Sequence, residues 1–369
     1  MHLKNEFDRL MLIFLLWNAG LALSGSFLFP AFFSMGVSVE QMLFLSILTY
    51  LIPLLYLLVS RNYNSKISMP LGIFSVAIAY LSLILLGGFT GAVALFAIGA
   101  LSFFFFWTPF NTFWFNLNDR KHAGHSTLYN AIMIVFGLLL PALSGVIVQQ
   151  FGFNALFSGS VVILTAAAVV AWKFAPTKKV SIDLFHSLKL LSGFRTIIFL
   201  EGFYQVAPVF IIVLISMTYF SKPVEFGLFM SLATLLSVLS SFVLSKMSDN
   251  SGKRREFILI SAVGLAISTI FAASTHEVAW WFVAVSLVNF FKVIFFPFPL
   301  ALMLDRKKCV PEIMYSREIM LTLGRSSGAL LSLMVYMATG SLSIPLILIG
   351  LSMFVYAGVF EFIKLKKIT

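Results

Sequence analysis

Apolar residues run almost unbroken through this chain, interrupted at intervals by short polar stretches. The apolar runs fall near Leu10–Phe33, Met42–Val59, Met69–Gly87, Ala92–Phe115, Tyr129–Val148 and Ala155–Trp172 in the first half. In the second half they fall near Thr196–Phe220, Phe226–Leu244, Phe257–Ala273, Val278–Leu304, Glu318–Ala338 and Ile344–Phe362. A helix needs roughly 20 residues to cross a hydrocarbon core about 30 Å thick, and these runs are of that length. They lack the short alternating segments of a membrane β-barrel, so the pattern predicts about twelve transmembrane helices.

The polar gaps separate into two kinds. Lys and Arg occupy alternate gaps: Lys4 and Arg9, then Arg61 and Lys66, then Arg120 and Lys121. The comb continues with Lys173 to Arg195, Lys246 to Arg255, Arg306 to Arg317, and Lys364 to Lys367, and Lys222 is the one basic residue in an intervening gap. Because basic residues are retained on the cytoplasmic side, this comb places both termini and every even-numbered connection there. The longest connection, 175–194, divides the spans six and six, so the expected domains are 1–174 and 195–369 joined by a cytoplasmic linker. Ile182, Leu184, Phe185, Leu188, Leu190 and Leu191 give that linker a mildly amphipathic stretch, read either as a short interfacial helix or as a solvated tether.

Composition agrees with this picture. Of 369 residues, 60% are hydrophobic and only 11% charged, far from a soluble domain. The net charge of +11 lies in short loops, where it meets anionic lipid headgroups, so no nucleic-acid partner is expected. The first run is too long for a signal-peptide core and lacks a convincing cleavage site. A single cysteine, Cys309, excludes an intramolecular disulfide. No metal-protease, Walker or nucleophile–base pattern occurs, and His122 and His125 are read as loop histidines, so neither an enzyme, a cofactor nor a metal site is expected.

Two correspondences point to parallel repeats. Asp119-Arg120-Lys121 ends the fourth run and Asp305-Arg306-Lys307 the tenth, with Tyr129 and Tyr315 following at the same offset. Loop 8–9 reads Ser245-Lys-Met-Ser-Asp249-Asn-Ser-Gly252-Lys253-Arg254-Arg255. It resembles the cytoplasmic G-x-x-x-D-x-x-G-R-[KR] loop of the major facilitator superfamily, with Ser245 in place of the first Gly and Lys253 in place of the first Arg. The resemblance implies an all-α fold of two parallel six-helix repeats. It also implies a conformational latch of Asp249, Gly252, Lys253 and Arg254 that docks near Ser126 at the start of the fifth span. The first-half copy carries Asn64 where the Asp belongs, which puts a symmetric second latch in doubt. In the fifth-span segment 137–145, Pro141 and Gly145 are similar to a Gly-Pro-rich signature of proton-driven exporters, with Leu140 in place of the Gly before the proline, and packing glycines and a proline kink explain the segment equally well.

Ionisable groups at membrane depth are expensive and are functional candidates by default. Glu201, Tyr204 and Gln205 share one face of the seventh span. Asn289 and Lys292 lie in the tenth, Glu318 and Arg325 in the eleventh, Asn18 in the first and Asn111 in the fourth. The family's first, fourth, seventh and tenth spans line its central cavity. The resemblance therefore implies a substrate site of Asn18, Trp107, Asn111, Tyr204, Gln205, Asn289 and Lys292, with Glu201 for proton coupling. Glu318 and Arg325 are read instead as a structural intrahelical network. The expected function is a secondary transporter, acting as a monomer on a small, anionic solute across the cytoplasmic membrane, with lipids and protons as further partners. Rival readings are an exporter of lipophilic or cationic compounds, with Glu201 as cation partner, and a transport-fold sensor or scaffold.

Overall fold

A computed structural model of the chain describes residues 6–60, 62–116, 122–251, 254–306 and 310–362, without the side chains at 116, 122–127, 130, 239, 241–251, 254, 298, 301 and 304–306. Among them, ten helices are long and apolar enough to cross a membrane, as expected of a multi-pass protein. In chain order the helices are α1 (Glu6–Gly25), α2 (Leu28–Ser34), α3 (Val39–Val59), α4 (Ser65–Leu86), α5 (Gly88–Gly99), α6 (Thr108–Asn116), α7 (His122–Phe174) and α8 (Leu184–Leu190). They continue as α9 (Arg195–Val206), α10 (Ile212–Tyr219), α11 (Pro223–Ser251), α12 (Arg254–Ser274), α13 (Val278–Phe295), α14 (Pro297–Arg306), α15 (Val310–Thr339) and α16 (Ser343–Phe362).

The expected fifth and sixth runs lie within one long helix, α7. It breaks at Gly152, whose φ of 80° suits a residue without Cβ. Its apolar part, 44 residues, is divided by that break into two helical stretches of about 20 residues, each long enough for one crossing of a hydrocarbon core. Two five-residue π-helical turns, Phe103–Trp107 and Ala207–Ile211, interrupt the fourth and seventh apolar runs. Such turns widen the helix and re-aim side chains, often at functional sites.

The expected eleventh run begins at Glu318, whereas α15 begins at Val310. Arg317, assigned to a loop by the charge pattern, is therefore inside a helix and mostly buried. Its charge is matched by a carboxylate on α9, which is why the helix can carry it there.

Glycines set the closest helix contacts. A Cβ at Gly202 would lie 2.2 Å from Leu321 O, and at Gly324 it would lie 2.1 Å from Phe199 O, so α9 and α15 touch backbone to backbone. The fifth-span motif works similarly. At Gly145 a Cβ would meet Pro223 O at 2.6 Å, and at Gly227 it would meet Pro141 O at 2.3 Å. Ala142 N–H donates to Ser231 Oγ at 3.0 Å across the same crossing of α7 and α11. These residues thus serve helix packing.

At the opposite end, the segment 175–194 is ordered against its surroundings. Lys179–Ser181 pairs antiparallel with Asn62–Asn64, in the register Tyr63 opposite Val180. Of the two readings of this segment, the short helix is present as α8, capped by Asp183, which accepts from His186 N–H at 3.1 Å. The strand pair was not predicted. Ser65 Oγ donates to Pro176 O at 2.5 Å and accepts from Lys178 N–H at 3.1 Å, which anchors the pair. Val180, Ile182 and Leu184 then pack with Leu54, Leu57 and Tyr63 and with Tyr315 and Ile319 of α15. The Tyr315 hydroxyl donates toward the Leu57 and Ser60 carbonyls at the end of α3, the latter at 2.5 Å.

Candidate functional site

Two buried ion pairs stand side by side between α9 and α15. Arg317 Nη2 donates to Glu201 Oε1 at 2.5 Å, with Glu201 1% and Arg317 13% exposed. Arg325 Nη1 donates to Glu318 Oε1 at 2.7 Å. Gln205, one turn after Glu201, joins the pairs: its Nε2 donates to Glu201 Oε1 at 3.4 Å and its Oε1 accepts from Arg325 Nε at 2.6 Å. Thr322 Oγ1 donates to Glu318 Oε1 at 3.4 Å. Two guanidinium groups and two carboxylates make the cluster neutral, which is how charge is tolerated at this depth. Two fully buried atoms of the cluster have no hydrogen-bond partner among the described residues, Glu201 Oε2 and Arg317 Nε.

Sequence reasoning missed Arg317 and treated Glu318 and Arg325 as a network within one helix. In the fold that network extends to α9 through Gln205. A signal was present: Gly324 and Gly328 lie seven and eleven residues after Arg317, on the same helical face, and small residues mark the face that a neighbouring helix approaches.

Arg325 also borders aromatic rings beyond its own helix pair. Its guanidinium carbon lies 5.6 Å from the Tyr50 ring centroid and 5.8 Å from that of Phe103, within cation–π range. Both rings line an apolar cavity of about 400 Å³. Trp17, Phe96, Trp107 and Phe210 also line it, and both π-helical turns contribute, through Phe103 and Trp107 and through Val209 and Phe210. Trp17 is fully buried and its Nε1–H has no partner among the described residues. Trp107 further packs edge-on or tilted against Phe14, Phe110 and Tyr129.

Lys292 stands elsewhere, on α13. Its Nζ donates to Asn289 Oδ1 at 2.8 Å, and Asn289 Nδ2 donates to Ala233 O of α11 at 3.3 Å. Glu201 therefore pairs with Arg317 and not with Lys292, which has no carboxylate partner among the described residues.

The remaining candidates are dispersed. Asn18 is buried and donates to Phe14 O of its own helix at 2.8 Å. Asn111 has a buried Oδ1 with no partner among the described residues. Tyr204 is fully buried, and its hydroxyl lies 2.9 Å from Thr269 Oγ1 of α12, tying it into helix packing. The latch candidates Gly252 and Lys253, the Asp119-Arg120-Lys121 segment and Cys309 lie outside the described residues, as do the side chains of Asp249, Arg254, Ser126, His122 and His125.

No family model matches the chain, and no curated protein matches it in sequence. Solved structures do match. The human organic anion transporter MFSD10 (TETRAN) superposes with a TM-score of 0.70 at 12% identity, covering 97% of this chain and 100% of that one. The fucose:proton symporter FucP of E. coli superposes with a TM-score of 0.68 at 14% identity, covering 96% and 98%. The fold is that of major facilitator superfamily transporters. At these identities the likeness carries the fold and leaves the substrate open.

Proposed function

We propose that this chain is a secondary active transporter that moves a small anionic solute across the cytoplasmic membrane by alternating access. In this reading twelve transmembrane helices form two parallel six-helix bundles, residues 1–174 and 195–369, with both termini and the 175–194 linker in the cytoplasm. The basic comb of the sequence and the transporter fold support that arrangement. The Tyr315 bonds to α3 and the glycine-mediated crossing of α7 and α11 supply separable contacts at the two ends of the molecule, as rocking bundles require. Asp249 would add a further contact of this kind, by the family resemblance of its loop.

Lys292 carries the anionic assignment. The buried arginines Arg317 and Arg325 each have a carboxylate, whereas among the described residues Lys292 has only the Asn289 amide oxygen. An unbalanced cation at membrane depth costs about 2.5–3.5 kcal/mol, and a substrate carboxylate or phosphate would offset it. Asn289 and Asn111 would orient the bound group through their amide N–H donors. Counterflow in proteoliposomes tests this: Lys292→Ala should slow exchange of the anion at least tenfold, and unchanged exchange removes Lys292 from the site.

Glu201 is the proposed proton carrier. One of its oxygens holds Arg317 and Gln205 while Oε2 is unpartnered, so a proton can add at Oε2, cancelling the carboxylate charge that balances Arg317 while leaving the hydrogen bonds at Oε1 in place. Glu201→Gln should retain counterflow, which needs no net coupling, and lose accumulation driven by a pH gradient. Accumulation at the level of the unmodified protein would remove Glu201 from coupling.

A further inference from the structure

The aromatic cavity is separate from the Lys292 position, since among the described residues no lining residue comes from α11 or α13. Its size, about 400 Å³, is in the range of small-molecule sites. Among the described residues no Asp, Glu, Lys or Arg lines it, so its walls accept an apolar body. Its polar side chains are the hydroxyls of Thr49, Tyr50, Tyr80 and Ser102 and the indoles of Trp17 and Trp107. The unpartnered indole N–H of Trp17 is a donor. Behind Tyr50 and Phe103 stands the Arg325 guanidinium, 5.6 and 5.8 Å from the two ring centroids. The two π-helical turns both open onto this space, and they re-aim Phe103, Trp107 and Phe210 toward it.

We propose that this cavity is a binding site for a lipophilic monocarboxylate, its acyl or aryl body held among Trp17, Trp107 and Phe210 and its carboxylate turned toward Tyr50 and Arg325. A lipophilic cation of the same shape meets the Arg325 charge across a single ring and is disfavoured. An isosteric alcohol fits the walls but lacks the charge term. The site does not depend on Lys292 or on transport.

Equilibrium binding to the full-length protein in nanodiscs, with empty nanodiscs as blank, tests the assignment using decanoate, decanol and decyltrimethylammonium. Saturable binding of one decanoate, at least tenfold tighter than decanol and with no specific binding of the cation, is expected. Thr49 lines the cavity and its hydroxyl is already bonded to Leu45 O, so Thr49→Phe fills the space and should weaken decanoate at least tenfold. Phe210→Ala enlarges it instead and should shift the preferred acid to a longer chain. The charge-neutral pair change Arg325→Gln with Glu318→Gln should erase the preference for acid over alcohol. Lys292→Ala should leave all of this binding intact, which separates failure here from failure of the transport assignment. Equal binding of the three amphiphiles, or decanoate binding insensitive to both cavity variants, overturns the proposal.

Discussion

Replacing Arg317 by glutamine is expected to destabilise the protein more than removing Arg317 and Glu201 together. In the folded chain Glu201 is 1% exposed and its Oε1 receives the Arg317 guanidinium at 2.5 Å. Loss of the guanidinium leaves a carboxylate in the protein interior with one amide N–H as its remaining partner. Breaking a buried pair in this way costs about 3–5 kcal/mol, because the surviving charge has been removed from water without compensation. Replacing both partners removes that uncompensated charge, so Arg317→Gln combined with Glu201→Gln should recover most of the loss. Thermal unfolding of the purified variants reads the result as a fall of several degrees for the single change and a partial return for the double one. A double variant no more stable than the single would show that Arg317 acts through packing and not through charge.

An equally large effect is expected from Gly202→Leu, for a steric reason. The site for a side chain at 202 is occupied by a backbone carbonyl, that of Leu321, at 2.2 Å. A flexible side chain could rotate away, but a carbonyl in the middle of α15 cannot, so the two helices must separate. Overpacking usually costs about 1–3 kcal/mol, and an immovable backbone neighbour puts this position at or above the upper end. Separation also pulls Glu201 from Arg317 and Gln205 from Arg325, whose bonds cross the same contact. The yield of monodisperse protein should fall sharply. Gly358→Ala provides the comparison, since a Cβ there meets nothing within 4 Å, and it should be neutral within about 0.5 kcal/mol. Similar yields for Gly202→Leu and Gly358→Ala would mean that α9 and α15 are not held in close contact.

The apolar runs and basic comb determined, from sequence alone, a helical multi-pass membrane protein. Both are one-dimensional signals: a bilayer imposes the length of a span, and charge decides which connections cross it. The same patterning singled out Lys292, Glu201 and Gln205, because an ionisable or amide group inside an apolar run is visible without any knowledge of its neighbours.

Partnership was decided only in three dimensions. Glu201 and Arg317 are separated by 116 positions and meet because glycines let α9 and α15 approach backbone to backbone. Arg317 was hidden among loop cations, since a hydropathy pattern counts charges but does not see a carboxylate that neutralises one. The pairing of Asn62–Asn64 with Lys179–Ser181 was likewise illegible, because three-residue strands have no period to read. The aromatic cavity had no linear signal either. Its walls come from five helices and two π-helical turns, and an excess of Phe and Trp looks the same in sequence whether it faces lipid, core or a ligand. Hydrophobic pattern and charge thus set what each segment is, and close packing at small residues set which segments share a site.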